Sequence, residues 1–380
     1  MDFSLSQEQR ELKKAVTEFA QRELNEDLIA RDRKEEFSHA AWKKCADFGI
    51  QGLPIPQQYG GSGLDILSAM CAMEGLGYGC RDSGLIFSLN AQMWSCELPI
   101  LTFGTEEQRQ RFLPGLCRGE LIAAHAMTEP GSGSDAYSLQ TRVEKKEKSY
   151  TLNGTKSFVT NAPLADLMLV YATPDPSKGM RGITAFIAEK RSSEFSVSPM
   201  QKMGLRTSPI GEVVFQDCAI PVENLLGREG GGVTVFNSSM EWERSCLLAS
   251  HLGAMERQLE TGIRYAKLRQ QFGKPIGKFQ SIANKIVDMK LRIEASRLLL
   301  YRVGWLKQMG RHAVMEAALA KLFMSESWIQ SSLDAIQIHG GYGYMTETEL
   351  ERELRDAIPG TIYSGTSEIQ RVIIAEWLGL

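Results

Sequence analysis

The stretch "SYTLNGTKSFVTNA", residues 149–162, decides what kind of fold the chain can adopt. Short runs rich in β-branched and aromatic residues lie on either side of Asn153-Gly154, a pair that tolerates the positive φ angles of a two-residue turn. The stretch predicts a β-hairpin. "LMLVYAT" (167–173), "GITAFIAEK" (182–190) and "EVVFQDCAIP" (212–221) continue the short-strand pattern to about residue 226. Outside this unit the apolar period lengthens to that of helices. Upstream, Ser6 and Gln9 stand at capping-box spacing and open a helix through "ELKKAVTEFAQREL" (11–24), and "PIPQQYGGSGLD" (54–65) is a Pro/Gly-rich break. Downstream, "GREGGG" (227–232) reads as a hinge before long amphipathic helices at about 233–268, 279–310, 312–338 and 365–378. The expected organisation is an all-helical segment 1–120, a β domain 121–230 and a helical bundle 231–380. Helices, then strands, then helices make an α+β chain, mainly α, and exclude the alternating pattern of a parallel α/β sheet.

Composition narrows the function. The 380 residues are 43% hydrophobic with a net charge of −3, the two signs interspersed, so no basic footprint points to nucleic acid. The N-terminus "MDFSLSQEQR" is charged where a signal peptide is apolar, and no run reaches the ~18 apolar residues of a membrane span. A cytoplasmic protein is expected. The seven cysteines (45, 71, 80, 96, 117, 218, 246) form no CxxC pair and the five histidines are isolated, which predicts buried, reduced thiols and no metal site.

Two glycine-rich stretches, "TEPGSGSD" (128–135) and "HGGYGY" (339–344), resemble phosphate loops only loosely. Neither contains the P-loop lysine, and neither sits in a strand-to-helix turn followed by an acid ~20 residues on, as a dinucleotide fold requires. A sharper signal lies in "FNSSMEWERSCLLASHLGA" (236–254), where Phe236, Met240, Glu243, Leu247 and Ala254 fall on one helical stripe and Glu241 on another face. A carboxylate in an apolar stripe is costly unless it is paired, protonated or used in chemistry. Glu243 is therefore either half of an internal ion pair with an arginine or a reactive group.

Six motifs spread along the chain resemble those of the acyl-CoA dehydrogenase family of flavoproteins: "MTEPGSGSD" (127–135), "LNGTKSFVTNA" (152–162), "KMGLRTS" (202–208), "RQQFGKPIGKFQ" (269–280), "QIHGGYGY" (337–344) and "GTSEIQR" (365–371). The resemblance implies a helical N-terminal domain, a middle β-barrel-like domain, a C-terminal four-helix bundle, FAD as cofactor and a homotetramer. Carried over residue by residue, it places Met127 and Thr128 at the flavin pyrimidine edge and Gly133 and Ser134 at the pyrophosphate. Phe158 and Thr160 fall beside the isoalloxazine. Arg269, Phe272 and Gln280 come from a neighbouring subunit, Gln337, Gly340 and Gly341 are further diphosphate contacts, and Thr366 and Glu368 lie toward the adenosine. Glu368 replaces the glutamine usual in relatives.

Many relatives read tyrosine, glutamate, glycine, threonine in the C-terminal loop, the glutamate being the catalytic base. In this chain that position is Ser364 of "IYSGTSEIQR" (362–371). A branch that includes isovaleryl-CoA dehydrogenases carries the base on the bundle helix instead, and "MEWER" (240–244) matches it with Glu243 as α-proton base, followed by Arg244. Flavin N5 then accepts the β-hydride. "SMEWERSC", "IYSGT", "RDSGLIFSLNAQ" and "KIVDMKLRIEASRLLLYR" further resemble the prolyl-carrier-protein dehydrogenases of natural-product pathways. That likeness implies L-proline on a phosphopantetheine-bearing carrier protein as substrate and a pyrroline product. Ser134, Met240, Trp242, Arg244 and Ser364 would then line the substrate, and an electron-transfer flavoprotein or oxygen would take the electrons. Two other readings stand beside it: a short- or branched-chain acyl-CoA dehydrogenase, and a non-catalytic flavin-binding scaffold.

Overall fold

The computed structural model describes residues 4–380. Seven helices come first: α1 (Gln7–Glu23), α2 (Leu28–Lys34), α3 (His39–Phe48), α4 (Ile66–Gly79), α5 (Ser83–Gln92), α6 (Leu98–Phe103) and α7 (Glu106–Cys117). The reciprocal capping box opens α1, with the Ser6 hydroxyl accepting from Gln9 N–H at 3.1 Å and the Gln9 side chain accepting from Ser6 N–H at 3.0 Å. Between α5 and α6 the helix widens into a π-turn, Met93–Glu97, in which Leu98 N–H reaches back five residues to Met93 O.

The strands β1 (Ala123–Ala126), β2 (Arg142–Lys145), β3 (Ser149–Thr160), β4 (Leu167–Ala172), β5 (Thr184–Glu189), β6 (Phe195–Pro199), β7 (Ile210–Pro221) and β8 (Leu225–Leu226) follow. They form two four-stranded sheets, ordered β1-β4-β5-β8 and β2-β3-β7-β6, and an isolated bridge between Arg142 and Thr173 links them. Leu152, Val170, Phe186, Val213 and Phe215 are among the buried side chains that fill the space they enclose.

The predicted hairpin at Asn153-Gly154 is not formed. β3 runs unbroken for 12 residues, and its pairing with β7 slips once near Asn153 and again between Lys156 and Val159. At the first slip β7 carries the extra residue, with Asp217 at φ 47°. The Asn153 amide clamps that bulge, donating to Asp217 Oδ1 at 3.1 Å and accepting from Asp217 N–H at 2.8 Å. Gly154 is needed because a Cβ there would stand 2.7 Å from Thr141 Cα. Turn-forming residues thus serve a bulge inside a strand. The second slip reverses the first, the extra residue now lying on β3, and it turns Phe158 outward at φ 57°.

The C-terminal helices are α8 (Gly232–Cys246), α9 (Leu248–Leu268), α10 (Gln280–Gln308), α11 (Val314–His339), α12 (Gly341–Tyr344), α13 (Leu350–Ala357) and α14 (Ser367–Trp377), with a small ribbon β9 (Gln270–Gln271) and β10 (Lys274–Pro275) before α10. The single helix expected over 233–268 is divided at Leu247, the C-cap of α8. One apolar core joins these helices to the N-terminal ones and takes in Trp94, Leu247, Met255 and Trp328. No helix among the described residues is long and apolar enough to cross a membrane.

Candidate active site

Glu243 lies on the inner side of α8, between Met240 and Leu247, both nearly fully buried. Its two carboxylate oxygens are held from opposite elements. The hydroxyl of Ser95, from the π-turn, donates to Oε2, and the hydroxyl of Ser364 donates to Oε1. The ion-pair alternative fails: among the described residues no lysine or arginine pairs with this carboxylate, and the adjacent Arg244 donates through Nε to the carbonyl of Ser364 at 2.8 Å. Glu241 is the paired acid of this helix, 2.9 Å from Lys307, whose ammonium also sits 4.2 Å from the Trp242 ring centre. Trp242 in turn stacks on the buried Trp94, centroids 6.5 Å apart. Met240, Glu243, Arg244 and Ser364 are thus brought together, while Trp242 covers the Trp94–Lys307 side.

The loop before α14 is clamped by its carbonyls. Gln370 donates to Ser364 O at 3.3 Å and to Gly365 O at 2.9 Å, and Lys321 donates to Gly365 O at 2.7 Å. Burial, aided by the charge of Arg244, pulls the Lys321 ammonium down to about 8. The neighbouring Tyr363 hydroxyl lies 2.9 Å from His251 Nε2. Burial lowers His251 to about 3 and raises Tyr363, so a phenol donates to a neutral imidazole. These contacts fix Ser364 in the left-handed region at φ 55°, a conformation that persists only where surroundings impose it. The Ser364 N–H has no acceptor among the described residues.

A second group gathers where β1 leads into the 128–138 loop. Lys156, fully buried on β3, donates to Met127 O at 3.0 Å and pairs with Glu129 at 2.8 Å. Glu129 also accepts from the backbone N–H groups of Gln140 and Thr141 at 2.6 and 3.0 Å. Burial pushes Glu129 up, but the Lys156 charge and these donors outweigh it and hold the carboxyl below its ordinary range; burial brings Lys156 down to about 8. Thr128 O accepts from Ser157 N–H at 2.9 Å, so the loop is stitched to β3 directly before Phe158. Phe158 is 62% exposed, Thr160 is half-buried, and Gly133 and Ser134 are exposed. An aromatic ring held outward in a left-handed backbone is a preformed stacking surface.

A third group lines a surface cavity of about 770 Å³ between the C-terminal end of α9 and the α11–α12 junction, to which Arg269, Phe272, Phe279, His339, Gly340 and Gly341 contribute. Phe272 is 91% exposed at φ 51°. Gln280 and Gln337 are exposed on the helices flanking this cavity. No hydrogen bond or ring contact among the described residues joins it to the Phe158 group. Thr366 caps α14, its hydroxyl accepting from Ile369 N–H at 3.3 Å, and Glu368 stands exposed in the first turn. No group of three or more His, Cys, Asp or Glu among the described residues is placed to hold a metal ion, and all seven cysteines are free and buried.

Models of the acyl-CoA dehydrogenase N-terminal, middle and C-terminal domains match residues 6–120, 124–218 and 230–379. The chain belongs to the acyl-CoA dehydrogenase family. It is 44% identical to the L-prolyl-[peptidyl-carrier protein] dehydrogenase of Serratia sp. (strain ATCC 39006), over all of this chain and 99% of that protein. Its structure is similar to that of the prolyl acyl carrier protein oxidase AnaB, with a TM-score of 0.98 and 53% identity over 99% of this chain and 100% of that one. It is similar also to PigA, solved with FAD and proline, with a TM-score of 0.97 and 44% identity over the full length of both.

Within this family frame the residues fit a flavin dinucleotide. The outward Phe158 and the exposed 131–135 loop offer a ring face and backbone amides, with nothing within 4 Å of a Cβ built on Gly131 or Gly133. The cavity offers the Arg269 guanidinium and the uncrowded backbone of Gly340 and Gly341. Sequence reasoning missed Ser95, Lys321, Gln370 and the Glu129–Lys156 pair. A lysine inside a β-prone run was the one available signal for the last of these. A π-turn has no signature that would have pointed to Ser95.

Proposed function

We propose that the protein is an FAD-dependent dehydrogenase of an acyl thioester. Its substrate is L-prolyl on the phosphopantetheine arm of a carrier protein, and its product is the dehydroprolyl thioester. The observation that carries this reading is Glu243: an inward carboxylate held by two hydroxyls with no cation on it. A thioester carbonyl acidifies the neighbouring C–H, and Glu243 takes that α-proton. Each carboxylate oxygen has two lone-pair directions, so a single hydroxyl on each leaves the other direction open to the substrate. FAD, when bound, supplies the acceptor for the hydride leaving the β-carbon. As charge moves onto the thioester oxygen, the unpaired N–H of Ser364 is available to meet it. Arg244, Gln370 and Lys321 hold that N–H by fixing the carbonyls around it. The prolyl group is favoured over a free acyl-CoA by the full-length similarity to the Serratia enzyme and to AnaB.

The protein also self-associates in this reading. Arg269, Phe272, Gly340 and Gly341 serve the flavin of a neighbouring copy, which accounts for their separation from the Phe158 group. The expected test result is anaerobic bleaching of the flavin by L-prolyl-carrier protein, with a 2 Da loss on the carrier-bound acyl group. Glu243→Gln should keep its FAD and lose at least about 10³-fold in the rate of bleaching, within the range of general-base contributions. Bleaching by butyryl- or isovaleryl-CoA and not by the prolyl carrier would replace the substrate; near-normal bleaching by Glu243→Gln would remove the base.

A further inference from the structure

We infer that Ser95 is a positioning residue for the proton abstraction: the π-turn Met93–Glu97 exists to aim its hydroxyl at Glu243, so that Ser95 and Ser364 form a two-sided clamp on the base. The inference rests on Glu243 being that base.

The behaviour of other buried helical serines sets the expectation. A serine within a helix can satisfy its hydroxyl on a carbonyl one turn back. Ser239, Ser245, Ser250, Ser325 and Ser332 do so, donating to Phe236 O, Glu241 O, Leu247 O, Leu322 O and Trp328 O at 2.6 to 3.3 Å; the buried Ser88 instead lies 2.8 Å from the Ser208 hydroxyl, and Ser296 has no partner among the described residues. Ser95 is equally buried, at 1% exposure, and donates instead across to α8, onto Oε2 of Glu243. Ser95 sits within the π-turn. Inserting one residue into a helical turn rotates the side chains that follow, and such insertions are frequent at functional sites. The turn is anchored on both flanks of Ser95. Trp94 donates to Asn90 Oδ1 at 2.7 Å and stacks on Trp242 of α8, and Glu97 accepts from Gln92 at 2.9 Å.

The clamp has a kinetic purpose. A glutamate side chain has three rotatable bonds, and a misplacement of ~1 Å at the reacting atom can cost about 100-fold in rate. With Oε1 and Oε2 tied to opposite elements the carboxylate plane is fixed before substrate arrives. Ser364 alone would fix one oxygen and leave the other to swing.

The test is Ser95→Ala in the FAD-loaded enzyme, with prolyl-carrier protein as substrate and stopped-flow flavin reduction as readout. The expected result is a fall of roughly 10- to 100-fold in kcat with KM changed less than about threefold. Ser95→Thr should restore most of the rate, and α-deuterated proline should show a larger isotope effect in Ser95→Ala than in wild type. A normal reduction rate in Ser95→Ala, or a loss that Ser95→Thr does not mend, overturns the inference. An active Glu243→Gln variant would instead remove the reading beneath it. An inactive Glu243→Gln beside a fully active Ser95→Ala removes only the clamp.

Discussion

Ser364 stands where many relatives keep their catalytic glutamate, and its hydroxyl donates to the carboxylate proposed to have taken over that work. In the proposed reading the serine at this position supports the base instead of being one. The backbone there is firmly held: a left-handed Ser364 is followed by Gly365 at φ 91°, with both carbonyls held by Arg244, Gln370 and Lys321. Lys156 is, among the described residues, the one lysine with no exposed side-chain surface that pairs with a buried acid. Breaking a buried pair by removing one partner costs about 3–5 kcal/mol, because the other charge is left without compensation. Lys156→Met should lower stability to denaturant by about that amount and strip the protein of flavin, since Met127 O and Glu129 both lose their anchor. The doubly neutral Lys156→Met/Glu129→Gln variant should recover part of the stability. Equilibrium unfolding, with the ratio of flavin to protein absorbance, reads both effects; a stable, yellow Lys156→Met protein would show that the pair holds nothing up.

At the scale of elements, the π-turn contains a second titratable group with a measurable consequence. Glu97 is fully buried, Gln92 donates to one of its oxygens, and the other has no partner. Burial raises its carboxyl to about 8, only partly offset by the Gln92 hydrogen bond. The sign follows from the two states. Below pH 4.5 the group is protonated whether folded or not and contributes nothing. Between pH 4.5 and about 8 the unfolded chain releases the proton while the folded one keeps it, so stability falls as pH rises, by up to about 1.4 kcal/mol per unit. Glu97→Gln should flatten that slope, and thermal melts of both proteins at pH 5.5 and 7.5 measure the difference. Elements differ in how far a sequence announces them. The capping box of α1 was legible because it needs only Ser6 and Gln9. The Glu243 stripe was legible because helical spacing is regular. The bulges of β3 were not, since Asn153-Gly154 carries the same turn chemistry in a hairpin and in a bulge, and only pairing with β7 selects between them. The widening at Met93–Glu97, which meets α8 through the Trp94–Trp242 stack, has no local sequence pattern to announce it.

For the whole molecule, the question is what covers the outer face of α10. Val287, Leu291, Leu298 and Trp305 lie four, seven and seven residues apart, on one side of the helix, and are 62%, 65%, 54% and 49% exposed. Apolar side chains scattered singly over a surface need no explanation, but an aligned row along one helix does. The cavity bearing Arg269 and Phe272 raises the same question from another side, because no hydrogen bond or ring contact among the described residues joins its exposed ring and guanidinium to the Phe158 group. Both are accounted for if copies of the chain pack through the C-terminal helices and each cavity completes a neighbour's cofactor site. Oligomeric state and flavin content should then fall together. Leu291→Glu/Leu298→Glu, which places two charges in the row without touching the cavity or Glu243, should shift the protein to a smaller species in light scattering. It should also lower flavin occupancy several-fold at micromolar protein. Added FAD should restore occupancy only at concentrations well above those wild type needs. A variant of unchanged mass would show that this face is solvent-exposed in the working protein. A smaller species that keeps its flavin would show that one chain holds the cofactor alone, leaving Arg269 and Phe272 without the role given to them.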